Sequence, residues 1–365
     1  MIPRLLPKDA TDFDVVGIGA LYDATACTVT EERNGDLVLN LSIPAHGNHA
    51  EDIGADKLII ADNGPGNPQP FRITTVQMGL DRSLEVEALH LCADLRWVPF
   101  KPFAGHRTDA ALAMADLKTS ALTDCDFNFE SDIVSSADQT FCRLTDPVMS
   151  IWDKLRGTDS SILQHFGGEF RYDGRTVSLL KARGQDRGVR IAYGKNITSL
   201  TRLEDGLDSF DAVIAYYTMD GVNTVYGDVV PLSGSTFAVR RPLILDASSD
   251  FQDTPTKAQL TAKATSYANA NATTGPTVSI DASFVPLWQT EEYADIPGLE
   301  ALEKVELCDT VTVDYLPLGI ALKTKVVKTA YNVLLDRYDS IELGTMRGTL
   351  PAMLAKMQKA IRYGR

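Results

Sequence analysis

The segment from Gly188 to Leu200, GVRIAYGKNITSL, contains a Gly-Lys pair of the kind that holds nucleotide phosphates. A phosphate-binding loop needs glycine, four residues and then Gly-Lys-Ser/Thr, because backbone amides wrap the phosphates and the hydroxyl holds Mg²⁺. Counted back from Gly194, the first glycine falls on Val189, and Asn196 stands in the hydroxyl position. Apolar residues alternate along 189–193 as in a strand. The segment is therefore predicted to be a strand and not a nucleotide site.

His46 and His49, followed by Glu51 and Asp52, have the residue types of metal ligands. They lie in a segment rich in Gly and Asn, where no helix would hold the side chains in one geometry. We predict a surface loop here.

Residues 124–135 match the opening of a calcium-binding EF-hand loop at Asp124, Asp126 and Asn128. That loop requires Gly at its sixth position and Glu at its twelfth, where this chain has Phe129 and Ser135. The alternation of polar and apolar residues instead predicts a strand with one polar face.

Other catalytic patterns are weak. Neither H-E-x-x-H nor G-x-S-x-G occurs, and Gly17-Ile18-Gly19 lacks the third glycine of a dinucleotide loop. A Ser-His-Asp triad stays open, because its members need only meet in space. His90 and His165 lie among apolar residues and are predicted to be structural. The sequence thus assigns no catalytic, cofactor-binding or metal-binding residue, no cofactor and no enzymatic activity.

Cysteines and tryptophans are scattered along the chain. The five cysteines include no C-x-x-C pair, which predicts buried thiols in place of disulfides or a zinc site. Trp97, Trp152 and Trp288 are predicted to anchor the core or an interface.

The charge balance limits the classes of partner. With 35 Lys and Arg against 49 Asp and Glu, the net charge is -14, which argues against a surface that grips nucleic acid. An acidic wall that DNA passes without sticking remains compatible with this charge. No stretch approaches the roughly 20 apolar residues of a membrane span, and the N-terminus lacks the apolar run of a signal peptide. We expect assembly in a cytoplasm.

The elements that must position these residues begin with strands. Asn34-Gly35 predicts a hairpin turn with positive φ at both residues, followed by a strand with apolar residues at every second position from Leu37 to Ile43. A shift of apolar phase predicts a bulge at Thr74-Thr75. A second hairpin is predicted at Asp173-Gly174.

Helices are predicted at five places, one of which is the short segment SSILQHFGG (160–168), ended by Gly167-Gly168. Thr108 or Asp109 would cap a helix within 106–122, and Asp146-Pro147 would open another. A helix through about Asn271 would begin at Asp253-Thr254-Pro255, with Pro255 in its first turn. Residues 351–364 are predicted to form a basic amphipathic helix.

The order of these segments resembles the N-terminal region of the phage minor tail protein family, also called prophage tail endopeptidases or tail-associated lysins. The segment GGEFRYDGRTVSLLKARGQDRGVRIAYGKNITSL (167–200) is similar to the family's longest motif. The other residues that match its pattern are Val29, Glu31, Asn34, Gly35, Leu37, Gln69, Phe71, Arg72, Ile73, Ala88, His90, Asp94 and Leu95.

The resemblance implies an α+β, multidomain fold like that of a phage baseplate hub. Two small tube-protein-like β-barrel domains would be joined by an α/β domain and an inserted domain. The implied division is 1–105 for the first barrel, 106–188 for the α/β domain, 189–245 with 305–345 for the second barrel, 246–304 for the inserted domain, and 346–365 for a C-terminal helix.

The function implied is that of a structural tail-tip hub in the virion. A homotrimer would join the tail tube or distal tail protein ring to the tip, with the tape measure protein and receptor-binding tip proteins as further partners, and would gate the DNA channel. DNA would pass through the lumen without sequence-specific binding.

Two other functions stay open. One is a tail-associated cell-wall endopeptidase, although family members usually carry that activity in a long C-terminal extension and this chain stops at Arg365. The other is a host-receptor or glycan-binding tip protein, with 246–304 as the place to look.

Overall fold

The computed structural model describes residues 1–80, 82–156, 161–192, 197–205, 210–218, 223–235, 237–248, 250–251, 253–271, 277–284, 305–315 and 320–344. They belong to two compact units, a larger one with Met1–Thr201 and Asp281–Met346 and a smaller one with Arg202–Ile280. Strands predominate over helices in the described residues, which confirms the predicted mixture of strands and helices. The five-part division of the chain stays a prediction.

The N-terminal part of the larger unit is built from short antiparallel strands. Its strands are β1 Arg4–Leu6, β2 Gly19–Ala20, β3 Ala26–Glu32, β4 Leu37–Pro44, β5 Leu58–Asp62, β6 Pro68–Met78 and β7 Ser83–His90, with 3-10 helices at Ala50–Asp52 and Leu91–Trp97. The predicted hairpin of β3 and β4 is confirmed. At its turn Asn34 has the predicted positive φ, at 55°. The prediction of positive φ for Gly35 was wrong. The predicted bulge in β6 is confirmed by a register shift between Ile73 and Thr75.

The next part of the larger unit mixes short strands with helices. Its elements are β8 Pro99–Phe100, β9 Gly105–Asp109, α1 Ala110–Thr119, β10 Asn128–Ser131, β11 Val134–Cys142, β12 Met149–Ser150, α2 Ile151–Arg156, α3 Ile162–Phe166, β13 Glu169–Asp173, β14 Thr176–Leu180 and β15 Asp186–Ala192. Asp109 caps α1 as predicted, since its Oδ1 accepts hydrogen bonds from the amides of Ala111 (2.8 Å) and Leu112 (3.2 Å). The hairpin at Asp173-Gly174 is also confirmed.

The predicted helix start at Asp146-Pro147 is wrong, because α2 begins at Ile151. The Asp146 carboxylate accepts instead from the amide of Arg143 (3.1 Å) and from Nζ of Lys154 (2.9 Å). Ser150 takes the capping role, since its Oγ accepts from the amide of Asp153 at 3.1 Å.

The remaining elements include all those of the smaller unit. They are β16 Ile197–Asp205, β17 Ala212–Thr218, β18 Thr224–Tyr226, β19 Val230–Pro231, β20 Pro242–Asp246, α4 Lys257–Asn271, β21 Thr277–Phe284, β22 Thr310–Tyr315, β23 Ile320–Asn332 and β24 Arg337–Gly344. Helix α4 begins at Lys257, so the predicted helix start at Pro255 is wrong. Its first turn is closed by Thr256 and Gln259, whose Oε1 accepts from the amide of Thr256 at 2.8 Å. Residues 346–365, with the predicted C-terminal helix, lie outside the described residues.

One sheet of the larger unit joins strands that are distant in sequence. From β24 its order is β23, β3, β4, β7, β6, β5, β1 and β2, all antiparallel neighbours. The first and last β-rich parts of the chain therefore meet at the β3–β23 pair, in which Lys328 lies opposite Glu32. β22 pairs with β23 and, in parallel, with β15.

Each unit has its own apolar core. In the larger unit a single cluster extends from the sheet, through residues such as Leu39 and Phe71, to Leu117 of α1 and Leu155 of α2. In the smaller unit α4 packs against β17, and the cluster is formed by Val213, Ala215, Tyr217, Ala247, Leu260, Ala264 and Ala268.

Candidate functional site

The side of the main sheet that faces away from the core carries two rows of polar side chains. One row runs Gln77, Glu85 and Ser42 across β6, β7 and β4. The second row crosses β6, β7, β4, β3 and β23 in register, and its members are Thr75, Glu87, Asn40, Thr28 and Asn332. All eight side chains are exposed or half-buried, and together they are called the polar face.

Strand periodicity separates the polar face from the core. Val29, Leu39 and Leu41 alternate with the polar residues of β3 and β4, and each is at most 1 % exposed. These eight residues include two carboxylates, Glu85 and Glu87, and neither Lys nor Arg. Further along the same side of β3 and β23, Lys328 lies 2.6 Å from the Glu32 carboxylate. Ser42 Oγ donates a hydrogen bond to the Glu85 carboxylate. Arg337 of β24 follows Asn332 at the far end of the second row.

Behind the sheet, a buried charge network joins three distant segments of the chain. Glu31 of β3 is 3 % exposed and accepts two hydrogen bonds from the Arg183 guanidinium, at 2.6 and 3.0 Å. It also accepts one from Asn63 at 2.8 Å. Burial opposes the charge of Arg183, but attraction to Glu31 outweighs it and raises the pKa of Arg183 above its ordinary value.

Glu169 of β13 is the second buried carboxylate of this network, at 2 % exposure. It accepts from Lys325 Nζ (2.7 Å) and from the Arg183 amide (2.9 Å), and it lies 3.0 Å from Nε of Arg33. Burial acts to raise the pKa of Glu169, but these partners, with Lys325 the strongest, bring it below its usual value. Glu169 is therefore held as a carboxylate.

Asp309 is the third buried carboxylate, at 1 % exposure. It accepts from the amides of Gln185 (2.7 Å) and Glu306 (2.9 Å) and lies 3.4 Å from Nε of Arg187. Asp309 interrupts an otherwise apolar alternation in the sequence, which was the one signal that could have marked it as a buried ion.

His90 forms a neutral bridge between the sheet and the hairpin of β13 and β14. Its Nδ1 accepts from the amide of Cys92 at 3.2 Å, so the proton lies on Nε2, 3.1 Å from Oε1 of Gln69. The same Gln69 oxygen accepts from the amide of Gly174 at 2.9 Å. Burial lowers the pKa of His90 to about 3. His90 is thus a satisfied structural histidine, as predicted.

A second junction is made by Asn34 and Asp36 near the turn after β3. The Asn34 side chain donates to the carbonyl of Gly168 (3.0 Å) and accepts from the amide of Phe170 (2.8 Å). Asp36 accepts from Arg96 (2.8 Å) and Arg156 (2.9 Å). Several residues that carry the family resemblance therefore make hydrogen bonds between distant segments of the chain; they are Glu31, Asn34, Gln69, His90 and Glu169. The resemblance marks these residues but not their contacts.

Trp152 and Trp97 have different surroundings. Trp152 is 7 % exposed and lies under the guanidinium groups of Arg96 and Arg156, whose Cζ atoms are 5.2 and 4.3 Å from its ring centroid. Trp97 is 62 % exposed. Trp288 lies outside the described residues.

The other candidates from the sequence do not assemble into a reactive site within the described residues. His46 is exposed, and His49 Nδ1 lies 3.1 Å from Asp52. No group of three or more His, Cys, Asp or Glu is placed to hold a metal ion among the residues described. All five cysteines are free thiols, four of them buried. The stretch before Gly194-Lys195 is the strand β15, as predicted, while Gly194, Lys195 and Asn196 themselves lie outside the described residues.

Within the described part of the chain, no helix is long and apolar enough to cross a membrane.

The fold is similar to that of solved phage tail proteins, and this likeness agrees with the resemblance stated above. The prophage tail protein gp18 from Listeria monocytogenes EGD-e has a TM-score of 0.59 at 13 % identity, and the similarity covers 99 % of this chain and 100 % of that one. A 43 kDa tail protein of prophage MuSo2 from Shewanella oneidensis has a TM-score of 0.61 at 11 % identity over 94 % and 97 %.

A tail protein from Neisseria meningitidis MC58 is similar at a TM-score of 0.59 and 11 % identity, over 96 % of this chain and 98 % of that one. No protein-family model and no curated protein matches the sequence. The likeness lies in the fold and is accompanied by little sequence identity.

Proposed function

We propose that the chain is a structural hub protein of a phage tail tip, and that three copies form a ring around the path of the DNA. The fold shared with phage tail proteins over nearly the whole chain supports a structural place in the virion tail. The polar face is the second support, because its side chains are exposed or half-buried among the described residues while the opposite side of the sheet builds the core.

The composition of the polar face suits a wall along which DNA slides. Glu85 and Glu87 repel phosphate, and the amides and hydroxyls in their rows carry no charge. The two cations described nearby on this sheet face carboxylates, since Lys328 lies 2.6 Å from Glu32 and Arg337 lies 3.7 Å from Asp339. In the ring, this face lines the lumen. Each chain contributes two tube-like barrels, and the resulting pseudo-sixfold surface meets the tail tube or distal tail protein ring. The tape measure protein and receptor-binding tip proteins are further partners.

The buried charge network supports a structural role more than a catalytic one. Glu31, Glu169 and Asp309 are all engaged by cations or amides of distant segments, so their charges hold the fold together. We infer that the chain is not an enzyme. Incubation of the purified chain with peptidoglycan tests this, since clearing that a histidine variant abolishes would establish the endopeptidase alternative.

The ring is tested by solution mass combined with electron imaging. We expect particles of three copies with a central opening. A Glu87→Cys variant coupled to a gold-bearing maleimide should place the label at the opening, whereas Glu51→Cys, which is exposed but outside the polar face, should place it elsewhere. A compact monomer that stays monomeric with its partner ring, or a Glu87 label on the outer rim, would refute the proposal.

A further inference from the structure

A cleft in the larger unit is distinct from both the polar face and the buried network. Its wall is formed by the N-terminal segment, the loop before β5, the end of the 3-10 helix Leu91–Trp97 and the segment that leads into β10. Asp56, Trp97, Asp124 and Phe127 are the lining residues that concern its chemistry. Phe127 is buried at 5 % exposure, and Trp97 is exposed at 62 %.

The exposed indole of Trp97 has an apolar neighbour in the same region. Leu122 is 57 % exposed, and its amide donates to the carbonyl of Pro99, two residues after Trp97, at 2.8 Å. A large aromatic and a large aliphatic side chain left in water beside a concavity are typical of a surface that another molecule covers.

The charge of the cleft is negative, because its carboxylates outnumber its basic side chains and two of the three basic side chains are already engaged. Arg72 donates through Nε to Asp94 at 2.8 Å and through Nη1 to the backbone carbonyls of Asp56 (2.6 Å) and Lys8 (3.2 Å). Arg175 lies 3.5 Å from Asp126, with its Cζ 5.8 Å from the ring of Phe127. The five carboxylates that line the cleft outnumber its three basic side chains; they are Asp9, Asp56, Asp94, Asp124 and Asp126.

We propose that this cleft binds a segment of a partner protein that carries Lys or Arg beside an apolar side chain. The cation lies against the indole face of Trp97 and near Asp124, where the ring quadrupole and the carboxylate both attract it. The apolar side chain covers Leu122. Charge complementarity selects this occupant over an anionic one. The proposal concerns the single chain and does not depend on ring formation.

Binding is measured by fluorescence anisotropy, with a fluorescein-labelled peptide of lysine and leucine as the probe and the purified full chain as the binder. Trp97→Ala leaves the net charge unchanged, so it separates binding in the cleft from general attraction to an acidic protein. We expect Trp97→Ala to weaken binding by about three- to tenfold, as lost cation–π contacts do. Leu122→Ser is the second variant and is expected to act in the same direction.

Asp124→Asn is expected to weaken binding by a few-fold at low salt, and its effect should shrink as salt screens the charge. Glu51→Gln is the matched control, since it removes one exposed carboxylate outside the cleft. Equal binding by the parent chain and Trp97→Ala, equal losses for Asp124→Asn and Glu51→Gln, or no binding at all would overturn the proposal. Binding of Ca²⁺ or of an N-acetylglucosamine oligomer at Trp97 and Asp124, without binding of the peptide, would also overturn it.

Discussion

Neutral His90 contributes stability that is lost in acid, and replacement by glutamine is expected to remove this pH-dependent contribution. The ring is buried at 2 % exposure and is bonded in one tautomer, with Nδ1 as the acceptor and Nε2 as the donor to Gln69. Protonation would put a second proton on Nδ1, opposite the amide of Cys92, in a buried site. Glutamine can keep the donor to Gln69 but does not take up a proton.

The sign and size of this change in stability follow from the difference between the pKa of His90 in the folded chain and its pKa in the unfolded chain. Burial lowers the pKa of His90 to about 3, whereas an unfolded histidine titrates near 6.5. The unfolded chain therefore binds the additional proton first as the pH falls. The contribution of neutral His90 is fully present above about pH 6.5 and is lost progressively toward pH 3. Between pH 7 and pH 5 this loss is about 2 kcal/mol at 1.36 kcal/mol per unit.

Urea unfolding at pH 7 and pH 5, followed by tryptophan fluorescence, measures this loss. Trp152 reports on the part of the core that contains His90. Its ring stacks on that of Tyr172, which lies 5.8 Å from the ring of His90. His90→Gln is expected to be the less stable chain at pH 7, with a gap to the parent that narrows by about 2 kcal/mol at pH 5. His46→Gln, an exposed control, should follow the parent at both values. A gap that stays constant would refute the assignment of acid sensitivity to His90.

Three further substitutions test the contacts that join the segments of the larger unit. Arg183→Met leaves the Glu31 carboxylate buried without its cation and should lower the free energy of unfolding by about 3–5 kcal/mol in urea titrations. The control Lys323→Met breaks only the exposed ion pair with Asp186 and should lower the free energy of unfolding by less than about 1 kcal/mol. Comparable losses in the two variants would contradict the network. Asn34→Ala loses both hydrogen bonds to the β13 segment and must keep a φ of 55°. Asn34→Gly loses the same hydrogen bonds but tolerates this φ, so thermal unfolding should show a larger loss of stability for the alanine variant. Equal losses of stability would mean that the φ angle matters little. Asp109→Ala removes the N-cap of α1 and should cost about 1 kcal/mol by the same assay, with Thr108→Ala as the near-neutral control; a larger effect at Thr108 would reassign the cap.

Local features of the fold could be predicted from the sequence because they depend on neighbours along the chain. Alternation from Leu37 to Ile43 placed the core side of β4, and a change of apolar phase located the bulge of β6. The Asp109 cap and the Asp173-Gly174 turn depend on backbone groups within a few residues. Where the helix-start rule failed at Asp146, other contacts of its carboxylate had intervened. The carboxylate of Asp146 was taken by Lys154, so the helix began at Ile151.

Most strands and turns, the acidic charge balance and the family likeness can be recognised in the sequence alone. The tertiary structure sets which strands are neighbours, since β3 and β23 meet through Lys328 and Glu32, which are 296 residues apart. It also decided that Arg183 neutralises Glu31 across 152 residues, and that the polar face forms one continuous surface. Hydrogen bonds between strands and burial of charge depend on which segments fold onto each other, and that depends on the summed packing of the whole chain.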